Sequence, residues 1–301
     1  MKIFITEPSE IAQRAKNILK EQGHELFECI SANQESLIEV LFIRTYLKIT
    51  KEYLSRFPNL AYIIRAGSGL DHIDLDECKK RHITVISSPG SNAVSVAEHA
   101  LTMLLLLLKN IIDHSKNLSE GGWRSKDLQG NELRGKTIGL LGCGAVGQVL
   151  SKLLLPFEVK ILGYDKYLSR AKFIQLNIQQ VSLSELLKNS DLVSIQIPLT
   201  GETVNLITAK ELALMKKTAC LVNVSRGEIV NEDDLITVLS QGKIKAAAID
   251  VVKGEPTPSR RLSALENIFI TPHIAGFTVE ADEAIATDAA LNFLKAIEDH
   301  K

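Results

Sequence analysis

The sequence has little that would tie it to a metal, a membrane or a nucleic acid. Its four cysteines, Cys29, Cys78, Cys143 and Cys220, stand far apart with no paired spacing. That argues against a cysteine zinc cage and offers no disulfide framework, so no metal is expected and a reducing cytoplasm is the simplest compartment. The net charge is −1 over 301 residues, which leaves no global field to draw nucleic acid or an acidic membrane. Long apolar runs are missing too. The greasiest, residues 100–108, lies between Glu98-His99 and Lys109-Asn110, is too short to cross a bilayer and reads as a buried helix. Met1-Lys2-Ile3-Phe4-Ile5-Thr6 meets polar residues too early for a signal peptide and reads as a first strand. No internal repeat or low-complexity tract interrupts the chain. Membrane and nucleic-acid partners are therefore not expected, and any anionic ligand must be met by local basic clusters.

What is present is an ordinary globular composition, 45% apolar and 24% charged, in a chain long enough for two hydrophobic cores. Residues 2–6, 37–44, 60–65 and 83–87 read as buried strands. Residues 10–22 carry Ile11, Ala15, Ile18 and Leu19 at helical spacing and end at Gly23, a good C-cap. A second alternating series follows Gly121-Gly122-Trp123, with strands expected at 137–141, 160–164, 192–197, 219–224, 246–250 and 268–271. Helices are expected at 182–188 and 232–241, and a closing helix at 280–299 is suited to fold back on the first domain. Strands alternating with helices imply parallel sheets covered on both faces, so the fold class is α/β with two doubly wound domains. Residues 95–118 are helical and apolar nearly all round, which requires cover on every side, from their own domain or from a second subunit.

Gly142-Cys143-Gly144-Ala145-Val146-Gly147 follows the strand at 137–141 and precedes a helical run at 149–155. That context is what a dinucleotide-binding loop requires. Gly142 serves the tight turn, Gly144 the close approach of a pyrophosphate, and Gly147 the packing of helix on sheet. The helix then directs its free N–H groups, from Ala145 and Val146 onward, at the phosphates. The next strand ends at Asp165, placed to hold ribose hydroxyls and to repel a 2′-phosphate, which favours NAD over NADP. Lys166 beside it is a cation able to pair with such a phosphate.

Arg226, Glu255 and His273 follow three successive strands of the same series, where an open parallel sheet lines its ligand crevice. Moving a hydride to or from an alcohol carbon needs a group that takes and returns the hydroxyl proton, and histidine suits both directions near neutral pH. A carboxylate such as Glu255 would stabilise the imidazolium. A guanidinium such as Arg226 can hold a substrate carboxylate and polarise the C2 oxygen. Taken singly, each also reads as an ordinary turn or surface residue.

With these motifs the chain resembles the D-isomer-specific 2-hydroxyacid dehydrogenase family, nearly end to end. The segments 222–230, 250–256 and 271–276 resemble its arginine, glutamate and histidine segments. Arg65-Ala66-Gly67-Ser68-Gly69-Leu70-Asp71 resembles its substrate-carboxylate loop, 88–100 its interdomain hinge, and 130–137 the lead-in to its cofactor domain. The resemblance implies Arg226, Glu255 and His273 as the catalytic group, and backbone N–H groups of Gly67, Ser68 and Gly69 for the carboxylate. It implies contacts to NAD from Pro198, Thr200, Val224 and Asp250, the last near the nicotinamide amide. It further implies two Rossmann-like domains: a substrate-binding domain from residues 1–94 and 278–301, and an NAD-binding domain from 95–277. A homodimer through the 95–118 region and closure of the domains during hydride transfer are also expected. The sequence departs from the family pattern at Gln196, where many members carry histidine, and at Phe277, where a small residue is common.

The implied substrate is a small 2-hydroxy or 2-oxo acid. Arg44, Lys48 and Arg65 resemble the pattern in D-3-phosphoglycerate dehydrogenases, and Arg124 and Lys126 add cations after Trp123; a phosphate on the substrate would account for them. Solvated surface charge is the plainer account of the same residues. The chain stops soon after its closing helix, so feedback through a C-terminal regulatory domain is not expected. Hydroxypyruvate or glyoxylate reduction is the alternative within the enzyme class. An NAD-sensing, corepressor-like binding protein is the alternative outside it.

Overall fold

The structure is a computed structural model, and it describes residues 1–44 and 47–299. Its chain forms two compact units, Met1–Asn92 with Gly276–Lys301, and Ala93–Ala275.

The first unit is a five-stranded sheet, β1 (Lys2–Ile5), β2 (Glu25–Phe27), β3 (Val40–Ile43), β4 (Tyr62–Arg65) and β5 (Thr84–Ser87). All pairings are parallel, in the order β2-β1-β3-β4-β5. Alternation along each strand decides which core it feeds. Ile3, Ile5, Phe42 and Ile64 face α1 (Gln13–Glu21) and α12 (Val279–Glu298), which lays Ala286, Ala289, Ala290 and Phe293 against them. Leu41, Ile43 and Ile63 face the other way, onto Leu54 of α2 (Lys51–Ser55) and Cys78 of α3 (Leu75–Lys80). The closing helix thus lies in the first unit. Gly23 ends α1 at φ +78°, a left-handed turn that glycine takes without steric penalty.

The second unit carries seven parallel strands: β6 (Thr137–Leu141), β7 (Lys160–Tyr164), β8 (Gln179–Gln180), β9 (Leu192–Ile195), β10 (Cys220–Asn223), β11 (Ala246–Ile249) and β12 (Ile268–Ile270). Their order, β12-β11-β10-β9-β6-β7-β8, reverses between β6 and β9, where Ile138 pairs with Leu192 and Leu141 with Ile195. One face is covered by α4 (Ala93–Lys109) and α6 (Ala145–Leu154), the other by α8 (Leu183–Asn189) and α10 (Glu232–Ser240). Both sheets have the two-sided cover that parallel strands require.

The apolar stretch at 95–118 is not one helix. Asn110 takes φ +50°, and the chain turns by 59° into α5 (Ile111–Ser119). Asn110 holds the break with its side chain, donating to the Leu128 carbonyl at 3.0 Å and accepting from Lys245 Nζ at 2.9 Å. Ala97, Ala100, Met103, Leu104 and Leu107 of α4 lie in the unit's own core, while Ile111 and Leu118 of α5 and the nearby Trp123 are exposed. Among the described residues no single helix is long and apolar enough to cross a membrane.

Candidate active site

The reversal of strand order at β6 and β9 opens a crevice at the carboxyl ends of the strands, and the glycine loop sits there. Gly142 has φ +97°, and a Cβ on it would lie 2.7 Å from Ile197 Cγ2. A Cβ on Gly147 would lie 2.4 Å from the Gly142 carbonyl oxygen, so the first turn of α6 can pack on the loop only as glycine. At Gly144 a Cβ would meet nothing within 4 Å, so this backbone faces open space in front of the helix N-terminus. The first N–H groups of a helix lack intrahelical acceptors and attract anions. Open space, bare backbone and a ten-residue helix fit a dinucleotide pyrophosphate.

Asp165, just past β7, is fixed by three backbone donors: Cys143 at 2.9 Å, Tyr167 at 2.9 Å and Leu168 at 3.0 Å. Its carboxylate is therefore tied to the glycine loop itself. Lys166 pairs with Glu202 at 2.5 Å, and that hydrogen bond holds its ammonium above the ordinary lysine value. Past β9, Thr203 Oγ1 donates to the Pro198 carbonyl at 2.7 Å and accepts from the Thr200 amide at 2.7 Å, giving the Pro198–Thr200 turn a fixed shape. Val224 is buried just beyond β10.

Arg226, Glu255 and His273 all belong to the second unit. Buried Asn223 shapes the arginine turn, its amide donating to the Arg226 carbonyl at 2.9 Å and its oxygen accepting from the Ser225 amide at 3.1 Å. Ser225 Oγ donates to the Ile197 carbonyl, linking this turn to the end of β9. A Cβ on Gly227 would lie 2.2 Å from the Val252 carbonyl carbon, so the arginine turn packs directly on the loop that carries Glu255. Glu255 Oε1 accepts from the Val252 amide at 3.3 Å, and its Oε2 lies 2.7 Å from His273 Nδ1. That contact gives Nδ1 an acceptor for its proton and leaves Nε2 as the nitrogen for exchange.

His273 has φ +55°, a left-handed conformation that costs a non-glycine residue about 1–3 kcal/mol and recurs at functional sites. Asp250, 1% exposed, stabilises it. The His273 amide donates to the Asp250 carbonyl at 2.8 Å, and the amides of Ile274 and Ala275 donate to its two carboxylate oxygens at 2.8 Å each. Thr271 Oγ1 adds a fourth bond at 2.5 Å, with His99 Nε2 3.6 Å from the same carboxylate. Asp250 is thus deeply engaged in shaping the histidine loop.

The residues expected to hold the substrate lie in the first unit. Gly67 takes φ +134°, and its amide donates to Ser88 Oγ at 2.9 Å, so that N–H already has an acceptor. Ser68 is exposed, with its hydroxyl accepting from Gly90 at 3.4 Å, and Gly69 is half-buried. Arg44 is turned inward: its guanidinium pairs with Asp282 of α12 and donates to the Glu10 carbonyl at 2.6 Å. Arg65 is buried and donates to the Ala66 carbonyl, while Lys48 is exposed. Thr45 and Tyr46, between Arg44 and Lys48, lie outside the described residues.

Residues 101–275 match the family model described as D-isomer specific 2-hydroxyacid dehydrogenase, NAD binding domain. The chain belongs to that family. It is 36% identical to a D-3-phosphoglycerate dehydrogenase of Archaeoglobus fulgidus over 288 residues, covering 93% of this chain and 54% of the relative. It therefore spans about half the length of that protein. A hydroxypyruvate reductase of Thermotoga maritima is 36% identical over 263 residues, 86% of this chain and 85% of the relative. Among solved structures, a D-lactate dehydrogenase from Aquifex aeolicus, complexed with NAD and lactic acid, superimposes with a TM-score of 0.87 at 29% identity, covering 100% of this chain and 96% of that one. The matched residues fall within the second unit, Ala93–Ala275.

Several residues that shape this domain's site escaped the sequence reading. Asn223 and Thr271 precede the expected residues by two or three positions, and each looks like ordinary strand-end polarity. His99 lies on a helix remote in sequence, and Glu202 pairs with Lys166 across 36 residues. Their common signal is a polar side chain just beyond a buried strand, or inside a greasy helix, with no other evident task.

Proposed function

We propose that this protein transfers a hydride between NAD and C2 of a small D-2-hydroxy acid. The observation that carries the reading is the 2.7 Å contact between His273 Nδ1 and Glu255 Oε2 on adjoining loops of an NAD-binding domain. Bound at Gly142–Gly147 and Asp165, the nicotinamide cofactor supplies or accepts the hydride. The remaining work falls to side chains. In oxidation, His273 Nε2 takes the proton of the substrate hydroxyl as the hydride leaves C2. In reduction it returns that proton to the forming alkoxide. Glu255 accepts a hydrogen bond from Nδ1–H, which selects this tautomer and stabilises the imidazolium once Nε2 is protonated. Arg226 holds the substrate carboxylate and polarises the C2 oxygen. The pairing of Lys166 with Glu202 leaves that lysine occupied, which supports NAD over NADP. A cytoplasmic homodimer using the exposed apolar residues of α5 completes the proposal.

For the substrate, 3-phosphoglycerate is the first reading, supported by similarity to phosphoglycerate dehydrogenases. A specific observation favours the second, hydroxypyruvate or glyoxylate: Arg44 is committed to Asp282 and cannot hold a phosphate without breaking that pair. NADH oxidation measured side by side with 3-phosphohydroxypyruvate, hydroxypyruvate and glyoxylate decides between them. In the same assay His273→Ala should lower kcat by at least about 100-fold while NADH still binds; wild-type turnover in that variant would remove the acid–base assignment.

A further inference from the structure

Gln196, where many members of the family carry histidine, touches both ends of the glycine loop. Its backbone continues β9, the amide donating to the Leu141 carbonyl at 2.9 Å. Its side chain runs back across the strand. Ser194, wholly buried, donates from Oγ to Gln196 Oε1 at 2.8 Å, which fixes the orientation of the amide group. The opposite end, Nε2, then donates to the Gly142 carbonyl at 2.9 Å. A Cβ on Gly142 would lie 2.9 Å from the Gln196 carbonyl oxygen, and one on Gly147 3.5 Å from Gln196 Nε2. The side chain is therefore wedged where the loop begins and where its helix starts.

We infer that Gln196 is a positioning residue for the cofactor's diphosphate, holding the Gly142 peptide so that its carbonyl points away from the anion site and the bare N–H groups point toward it. This rests on reading Gly142–Gly147 as the diphosphate-binding loop. The physical ground is that a carbonyl next to an anion site is repulsive unless it is turned aside and hydrogen-bonded. Serine, glutamine amide and glycine carbonyl form a directional relay in which only a group that both accepts and donates serves at position 196. A glutamate there keeps the length but replaces the donor with a carboxylate facing a carbonyl. Protonated, the same glutamate becomes a donor again.

The test is NADH affinity, read by fluorescence between pH 5 and 8.5, for wild type, Gln196→Glu and Gln196→Met. Gln196→Met should weaken binding 5- to 10-fold at every pH. Gln196→Glu should weaken it more than 10-fold at pH 8 and recover at least half of that loss, on a logarithmic scale, as pH falls through the glutamate titration. A merely structural role would not produce that recovery. In the cofactor-free protein, amide exchange at residues 143–147 should speed up in Gln196→Met while α10 stays unchanged. Gln196→Glu binding NADH within twofold of wild type at every pH would overturn the inference. If that variant does not fold, unchanged affinity and unchanged exchange in Gln196→Met overturn it. A wild type that fails to bind NADH would instead strike at the cofactor reading, and the exchange comparison would still decide whether Gln196 clamps the loop.

Discussion

Arg44 illustrates how a single side chain changes meaning once its partners are known. By its place after a strand it is a candidate phosphate ligand. In the fold it is 8% exposed and bound to Asp282, which stands 238 residues away in sequence. Removing one member of a buried ion pair leaves the other charge uncompensated. Arg44→Ala should therefore lower stability by roughly 2 kcal/mol, less than for a fully buried pair because Asp282 is partly open to solvent. Thermal unfolding checks the magnitude, and KM values should change alike for phosphorylated and unphosphorylated acids. A KM raised only for the phosphorylated acid would restore Arg44 to the substrate.

Among the elements, the loop after β12 carries the histidine on which the proposed chemistry rests. Its left-handed histidine is held through Asp250, and Thr271 contributes one of the bonds. Thr271→Val keeps the side chain's shape and removes that donor. At about 1 kcal/mol for a lost hydrogen bond, kcat should fall about fivefold, with NADH affinity unchanged. A loss of affinity at constant kcat would assign Thr271 to the cofactor instead. The same loop shows what could be read from sequence. Its histidine was legible because it follows a strand end in a fixed series with Arg226 and Glu255, whereas the Asp250 scaffold depends on backbone amides that sequence does not advertise. The strands behave alike. β6 and β7 stand where their apolar runs place them. The edge strands β2 and β8 escape because Glu25-Leu26-Phe27 and Gln179-Gln180 carry no such run. The break at Asn110 was hidden because apolar residues continue on both sides of it, and only the left-handed backbone reveals it.

At the scale of the whole molecule, three of four thiols are sealed in. Burial pushes the Cys143 thiol up to about 12, and Cys78 and Cys220 up to about 11. Cys29 is exposed. A thiol reagent at pH 8 should therefore modify one cysteine per native chain quickly and all four after unfolding; rapid loss of two or more would mean that a core opens readily. The sign of the pH effect follows. The folded state keeps these protons while an unfolded thiol ionises near 9, so stability is fully present below that value. It should fall as pH rises from 9 toward 12, which alkaline unfolding midpoints would show.

The return of α12 to the first unit also sets an order of birth. On the ribosome, β1 to β5 emerge early with Ile3, Ile5, Phe42 and Ile64 facing a helix not yet made. All of Ala93–Ala275 must be translated before Val279 appears. At typical elongation rates that is a wait of roughly 10–40 s. The continuous unit can fold on schedule, whereas the earlier one stays sticky until late. A nascent chain stalled before Val279 should accordingly be the form that chaperones hold.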